Sequence, residues 1–99
     1  MAIMDYDEAA TERLETTYLG ADVVVQRQET IKRLELNSGD HVIDVGSGPG
    51  FLCESMADIV GPNGNIIGVD IYQTMVDRAN KRNHRDWLNY SQGDVTYVT

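Results

Sequence analysis

The feature that most constrains this chain is the run VIDVGSGPG at residues 42–50. Residues 41–45 are short, β-branched and end at a glycine, so they read as a strand. Gly46, Gly48 and Gly50 then alternate with Ser47 and Pro49. Residues 51–60 follow with helical spacing, and Leu52, Met56, Ile59 and Val60 are their expected inward set. A strand that turns through glycines straight into a helix lets a ligand lie against bare backbone. The helix start is expected to direct free N–H groups into the same space. A ligand site is therefore expected at the carboxyl end of this strand, at a switch point of the sheet.

The rest of the chain repeats the unit. Residues 5–36 read helical, with Gly20 as an interruption. Asp22 is expected to cap a second helix over residues 23–36, in which Val23, Val24, Arg27, Ile31 and Leu34 fall near helical spacing. Residues 37–40 form a turn, and GPNG at residues 61–64 closes the first crossover helix. Residues 65–70 read as a second strand, and residues 72–83 as a helix with Met75, Val76 and Ala79 on one side. Residues 87–92 read as a third strand ending at Gly93-Asp94. Strand and helix in alternation predict a parallel α/β sheet with right-handed crossovers.

Composition removes several function classes. Ninety-nine residues make one small domain at most. Eight basic against sixteen acidic residues give a net charge of −8, which argues against nucleic acid or an anionic membrane as the main partner. One cysteine excludes an internal disulfide framework and a four-cysteine zinc site, and His41 and His84 have no ligand spacing, so no metal site is expected. The apolar runs are too short for a membrane span, and the first residues lack the basic and apolar regions of a secretory signal. The default compartment is the cytoplasm.

The dinucleotide fingerprint is G-x-G-x-x-G, whereas the glycines here are spaced G-x-G-x-G, with the bulky Phe51 next and no N–H at Pro49. The glycine run instead resembles the first motif of the class I S-adenosylmethionine (SAM)-dependent methyltransferases. It is most similar to the small-molecule branch that includes the ubiquinone- and menaquinone-biosynthesis-type enzymes. Two further motifs resemble the family in order: IGVDIYQTM at residues 67–75 and QGDV at residues 92–95. The resemblance runs from about Asp22 to the end of the chain.

This resemblance implies a Rossmann-like three-layer α/β sandwich. The chain is expected to hold a truncated half of it: about three parallel strands in the order 3-2-1, their crossover helices, and N-terminal helices. Residues 1–36 would be a helical leader and residues 37–99 the SAM-binding half-domain. Asp70, at the end of the second strand, would accept hydrogen bonds from the ribose hydroxyls. Ile71 and Met75 would flank the adenine, Asp94 would accept from its amino group, and the Val95 N–H would donate to a ring nitrogen. Gly46, Ser47, Gly48 and Gly50 would border the methionine portion, and Asp44 would add negative charge near its ammonium and sulfonium.

Plainer roles stand beside these. Asp44 has the alternative of ordering the glycine loop through backbone N–H groups, and Asp70 that of capping the next helix. Met75 also suits a core position. Cys53 reads as a buried, inert thiol rather than a nucleophile, and His41 as a surface residue. Arg27 reads as a structural arginine, with pairing to the SAM carboxylate as the alternative. The chain ends five residues past Asp94. The expectation is therefore a cofactor half without a catalytic base, with a small-molecule substrate bound by the parent enzyme. The open edge of the first strand is expected to drive self-association. A non-catalytic nucleotide-binding or assembly module, and an NAD-binding oxidoreductase domain, remain the competing readings.

Overall fold

The structure, a computed structural model, describes residues 8–18 and 20–94. Helices α1 (Glu8–Tyr18) and α2 (Ala21–Leu34) precede β1 (His41–Val45), α3 (Phe51–Val60), β2 (Asn65–Asp70), α4 (Gln73–Arg82) and β3 (Leu88–Gln92). The three strands are parallel in the order β1-β2-β3. Ile43 stands opposite Ile67, and Ile67 opposite Asn89. The predicted strand order is the observed one, and the two crossover helices lie where the sequence places them.

The core lies between one face of the sheet and the inner faces of α3 and α4. It consists of Cys53, Met56, Ala57 and Val60 from α3, Val76 and Ala79 from α4, and Ile66, Leu88 and Tyr90 from the sheet. Gly68 lets the Tyr90 ring cross β2, because a Cβ at residue 68 would stand 2.6 Å from that ring. Trp87 closes the lower end, its indole Nε1–H donating to the Ala57 carbonyl at 2.8 Å.

Three local expectations are corrected. The inward stripe of α3 keeps Met56 and Val60 and adds Cys53 and Ala57, with Leu52 packed at the margin of the core and Ile59 left out of it. Close approach to the sheet selects the small side chains, while Leu52 turns toward a groove shared with Val23 and Arg27 of α2, and Ile59 is exposed. Helix α2 starts at Ala21 with Gly20 as its N-cap, so Asp22 lies in the first turn, where the helix dipole favours a carboxylate. It stops at Leu34 because Glu35 turns left-handed, with φ 50°.

The second face of the sheet is different in kind. Strand alternation places His41, Ile43, Val45, Asn65, Ile67, Val69, Asn89 and Ser91 on it. Ile43 is 67% exposed and Val45 55% exposed, and no described helix packs there. The described residues thus build two layers of the sandwich, with β1 at the sheet edge. Among the described residues no helix is long and apolar enough to cross a membrane.

Candidate functional site

The glycine loop leaves β1 and enters α3 under tight internal constraint. The N–H groups of Gly46 and Ser47 both donate to the Val69 carbonyl, at 2.7 and 3.0 Å. The Gly48 N–H donates to Asp70 Oδ2 at 2.9 Å, and the Gly50 N–H to the Ser47 carbonyl at 3.2 Å. Pro49 has none to give. Every residue from Gly46 to Gly50 is therefore either engaged or without a donor. The loop N–H groups thus turn inward, toward β2 and the loop itself, and the free N–H groups expected at the start of α3 are a separate set, not engaged by these bonds.

Gly50 could be no other residue. Its φ is 93°, and a Cβ there would stand 2.4 Å from the Tyr90 hydroxyl. That hydroxyl donates to the Gly50 carbonyl at 3.2 Å, fixing the start of α3 to β3. Burial pushes the Tyr90 phenol well above its ordinary range, so it stays protonated as a donor.

Asp70 is the pivot of the site. It is 8% exposed at the end of β2. Oδ2 accepts from the Gly48 N–H, and Oδ1 accepts from the Tyr72 N–H at 2.9 Å. One carboxylate thus ties the glycine loop to the entry of α4. Each oxygen retains a further lone pair for an external donor. The capping alternative is met in modified form: Asp70 bonds the N-cap residue itself, two positions ahead. Loop ordering, entertained for Asp44, falls to Asp70.

Asp44 instead accepts the Cys53 S–H at 3.2 Å. Burial holds the Asp44 carboxyl above the usual carboxylate range; the thiol's hydrogen bond opposes this, and the nearby Asp70 charge adds to it. Burial and the Asp44 charge push the Cys53 thiol far up. Cys53 is completely buried and serves as a donor, not a nucleophile.

A cavity of about 320 Å³ opens at the carboxyl ends of the strands, lined by Val45, Gly46, Val69, Asp70, Ile71, Tyr72, Gly93 and Asp94. Four sequence-predicted residues meet here: Gly46, Asp70, Ile71 and Asp94. Asp44, Ser47, Gly48 and Gly50 stand behind them as the support of the loop. Ser47 is buried, and its hydroxyl has no hydrogen-bond partner among the described residues. Met75, expected against the adenine, is only 2% exposed and does not line the cavity, because the apolar face of α4 carries it inward. Val95 lies outside the described residues. Sequence reading missed Val45, Val69, Tyr72 and Gly93 as lining residues. Tyr72 follows Asp70 by two positions, and the turn closed by the Asp70 carboxylate is what directs it to the cavity. Arg27 stands 5.5 Å from the centre of the Phe51 ring, the structural role expected of it. Among the described residues there is no cluster of His, Cys, Asp and Glu able to hold a metal ion.

Residues 36–96 match the family described as a methyltransferase domain, and the chain belongs to that family. The demethylmenaquinone methyltransferase of Lactobacillus johnsonii is 36% identical over 76 residues, which cover 73% of this chain and 31% of that protein. A Geobacter sulfurreducens SAM-dependent methyltransferase, solved with S-adenosyl-L-homocysteine (SAH), superimposes with a TM-score of 0.61 at 27% identity, covering 75% of this chain and 31% of that one. A Haloferax volcanii complex with the Trm112 methyltransferase activator contains a chain that matches at 30% identity and a TM-score of 0.62, over 68% of this chain and 29% of that one. The fold is that of the Rossmann-like SAM methyltransferases. The chain spans about a third or less of the length of the curated relatives it matches.

Proposed function

We propose that this chain binds S-adenosylmethionine at the carboxyl ends of β1 to β3 and supplies the cofactor half of a methyltransferase acting on a small-molecule acceptor. The observation that carries this reading is the polarity of the site. The loop from Gly46 to Gly50 offers no free N–H, while Asp70 and Asp94 line the cavity and Asp44 lies behind it. A pyrophosphate needs donors and tolerates carboxylates poorly. A cationic adenosyl ligand wants the reverse. The same observation disfavours the NAD-binding reading on physical grounds.

The residues present fit such a ligand. Asp70 has spare acceptor capacity for a ribose diol, in a cavity walled by Val69 and Ile71 on which an apolar ring can rest. Asp94 at the rim accepts from an exocyclic amine. Gly46 exposes main chain, so an amino-acid portion can lie against it, and the Asp44 charge favours its ammonium. The bound cofactor would supply a methyl group already activated by a sulfonium. The chain's own contribution is to hold and orient it, which accounts for much of the gain in such transfers. No residue here is assigned as a general base.

Titration of SAH into the protein tests this reading. Binding that is lost in Asp70→Ala supports it, and NAD binding in preference to SAH contradicts it.

We further propose that copies of this chain associate through the outer face of the sheet and the edge of β1, and that the protein works in the cytoplasm. The Gly46 N–H addresses β2, so alternate residues Val42 and Asp44 do too, leaving the backbone groups of Ile43 and Val45 at the edge. The eight residues of that face carry no formal charge with His41 neutral, on a chain with net charge −8. Acidic copies can meet on that face without bringing carboxylates together.

A further inference from the structure

Arg82, in the last turn of α4, ties together three elements and the glycine loop. Its Nε donates to Glu54 of α3 at 2.9 Å, its Nη1 to Glu15 of α1 at 2.9 Å, and its Nη2 to the Pro49 carbonyl of the glycine loop. The guanidinium plane lies over Phe51, 4.1 Å from the ring centre. All three nitrogens and one face are committed, so the group has little freedom to be elsewhere. A guanidinium is suited to this because its donors are fixed in one planar fork.

Beyond the Val69 carbonyl, which accepts from the Gly46 and Ser47 N–H groups, three side chains hold the glycine loop. Asp70 takes the Gly48 N–H, Tyr90 donates to the Gly50 carbonyl, and Arg82 donates to the Pro49 carbonyl. The first two holds come from the sheet. The third reaches beyond it, through Glu15 to α1. Among the described residues no α1 side chain lines the cavity. A second arginine, Arg78, also pairs with α1, at 3.4 Å from both Glu12 and Glu15.

We propose that Arg82 is a positioning residue for the cofactor loop, and that the docking of α1 through Glu15 sets how firmly it does so. The inference rests on the assignment of the loop to SAM binding. Glu15 orients the guanidinium, the guanidinium fixes the Pro49 peptide, and that peptide sets the path of the backbone between Gly48 and Gly50. Helix α1 thereby governs affinity at a cavity it does not touch.

The test uses three single variants of the full chain: Arg82→Gln, Glu15→Gln and Arg78→Gln. SAH affinity is measured by calorimetry, and amide hydrogen exchange at Gly48 and Gly50 is measured without ligand. Loss of a charge-assisted hydrogen bond to the loop predicts affinity weakened by about tenfold in Arg82→Gln and about threefold to tenfold in Glu15→Gln. Exchange at Gly48 and Gly50 should quicken in both. Arg78→Gln loosens α1 equally but should leave both readouts within about twofold. Equal changes in all three variants would mean that these charges only hold the fold together, and the proposal is overturned. Unchanged loop exchange in Arg82→Gln overturns it as well. If the wild type binds no SAH, the SAM assignment fails, while the exchange data still decide whether Arg82 positions the loop. Glu15→Gln removes a charge from a partly exposed helix, so it gives a folded variant even where Arg82→Gln does not.

Discussion

At Asp44, burial, a thiol and a second carboxylate all act on one proton. The carboxyl's folded pKa lies above its unfolded value of about 3.9, so protonation favours the folded state. The contribution is complete below the unfolded pKa and is lost as pH rises through the folded one. Asp44→Asn keeps an acceptor for the Cys53 S–H and removes the buried charge. It should raise the melting temperature at pH 7 and flatten its dependence on pH above the unfolded carboxyl value, as read by calorimetric scans. The same variant should weaken SAM, which is cationic at sulfur, more than the thioether SAH. Equal weakening would remove the electrostatic role given to this carboxylate. Gly50 makes a separate prediction. Gly50→Ala combines a left-handed φ with a Cβ driven into the Tyr90 hydroxyl, and should cost about 2–5 kcal/mol in denaturant unfolding. Gly39→Ala shares the left-handed φ but meets open space, and should cost only about 1–2 kcal/mol. The positions of Gly46, Asp70, Ile71 and Asp94 were legible in the sequence because strand ends and glycine loops fix them locally. The inward turn of the loop N–H groups was not. It depends on the Val69 carbonyl and the Asp70 carboxylate, which only strand pairing brings to the loop.

The elements themselves were legible to the residue in β1, α3 and β2, where a β-branched run or a helical stripe is bounded by glycines. Register and helix seating were less so. Periodicity alone leaves both 52-56-59-60 and 53-56-57-60 as possible stripes of α3. The choice falls to the second because Cys53 and Ala57 allow the helix to approach β2 closely, and that is a tertiary preference. Leu88, completely buried under α3 and α4 in β3, reports on this packing. Leu88→Ala should destabilise the protein by about 2–5 kcal/mol, with the cavity left behind setting the value in that range. Ile59→Ala, on the exposed side of α3, should cost well under half as much. Chemical denaturation of the two variants separates the observed stripe from the alternative.

At the scale of the molecule, the described residues of this acidic chain cover one sheet face with α3 and α4 and pack no helix on the other. That asymmetry predicts association of copies at tens of micromolar in sedimentation experiments. Ile43→Lys, which places a charge at the middle of the edge strand on the uncovered face, should shift the equilibrium to monomer without lowering the melting temperature. A wild-type chain that sediments as a clean monomer at that concentration contradicts the association proposal, and leaves the cofactor assignment untouched. The assignment itself stands on carboxylates that gather round a loop whose main-chain N–H groups are all engaged. Calorimetric titration of SAM and SAH into the wild type and Asp70→Ala, with NAD as control, tests it most directly. The account predicts saturable one-to-one binding of both adenosyl ligands, none of NAD, and loss of binding in the folded variant. Folded wild-type protein that binds neither adenosyl ligand, or that prefers NAD, would contradict it.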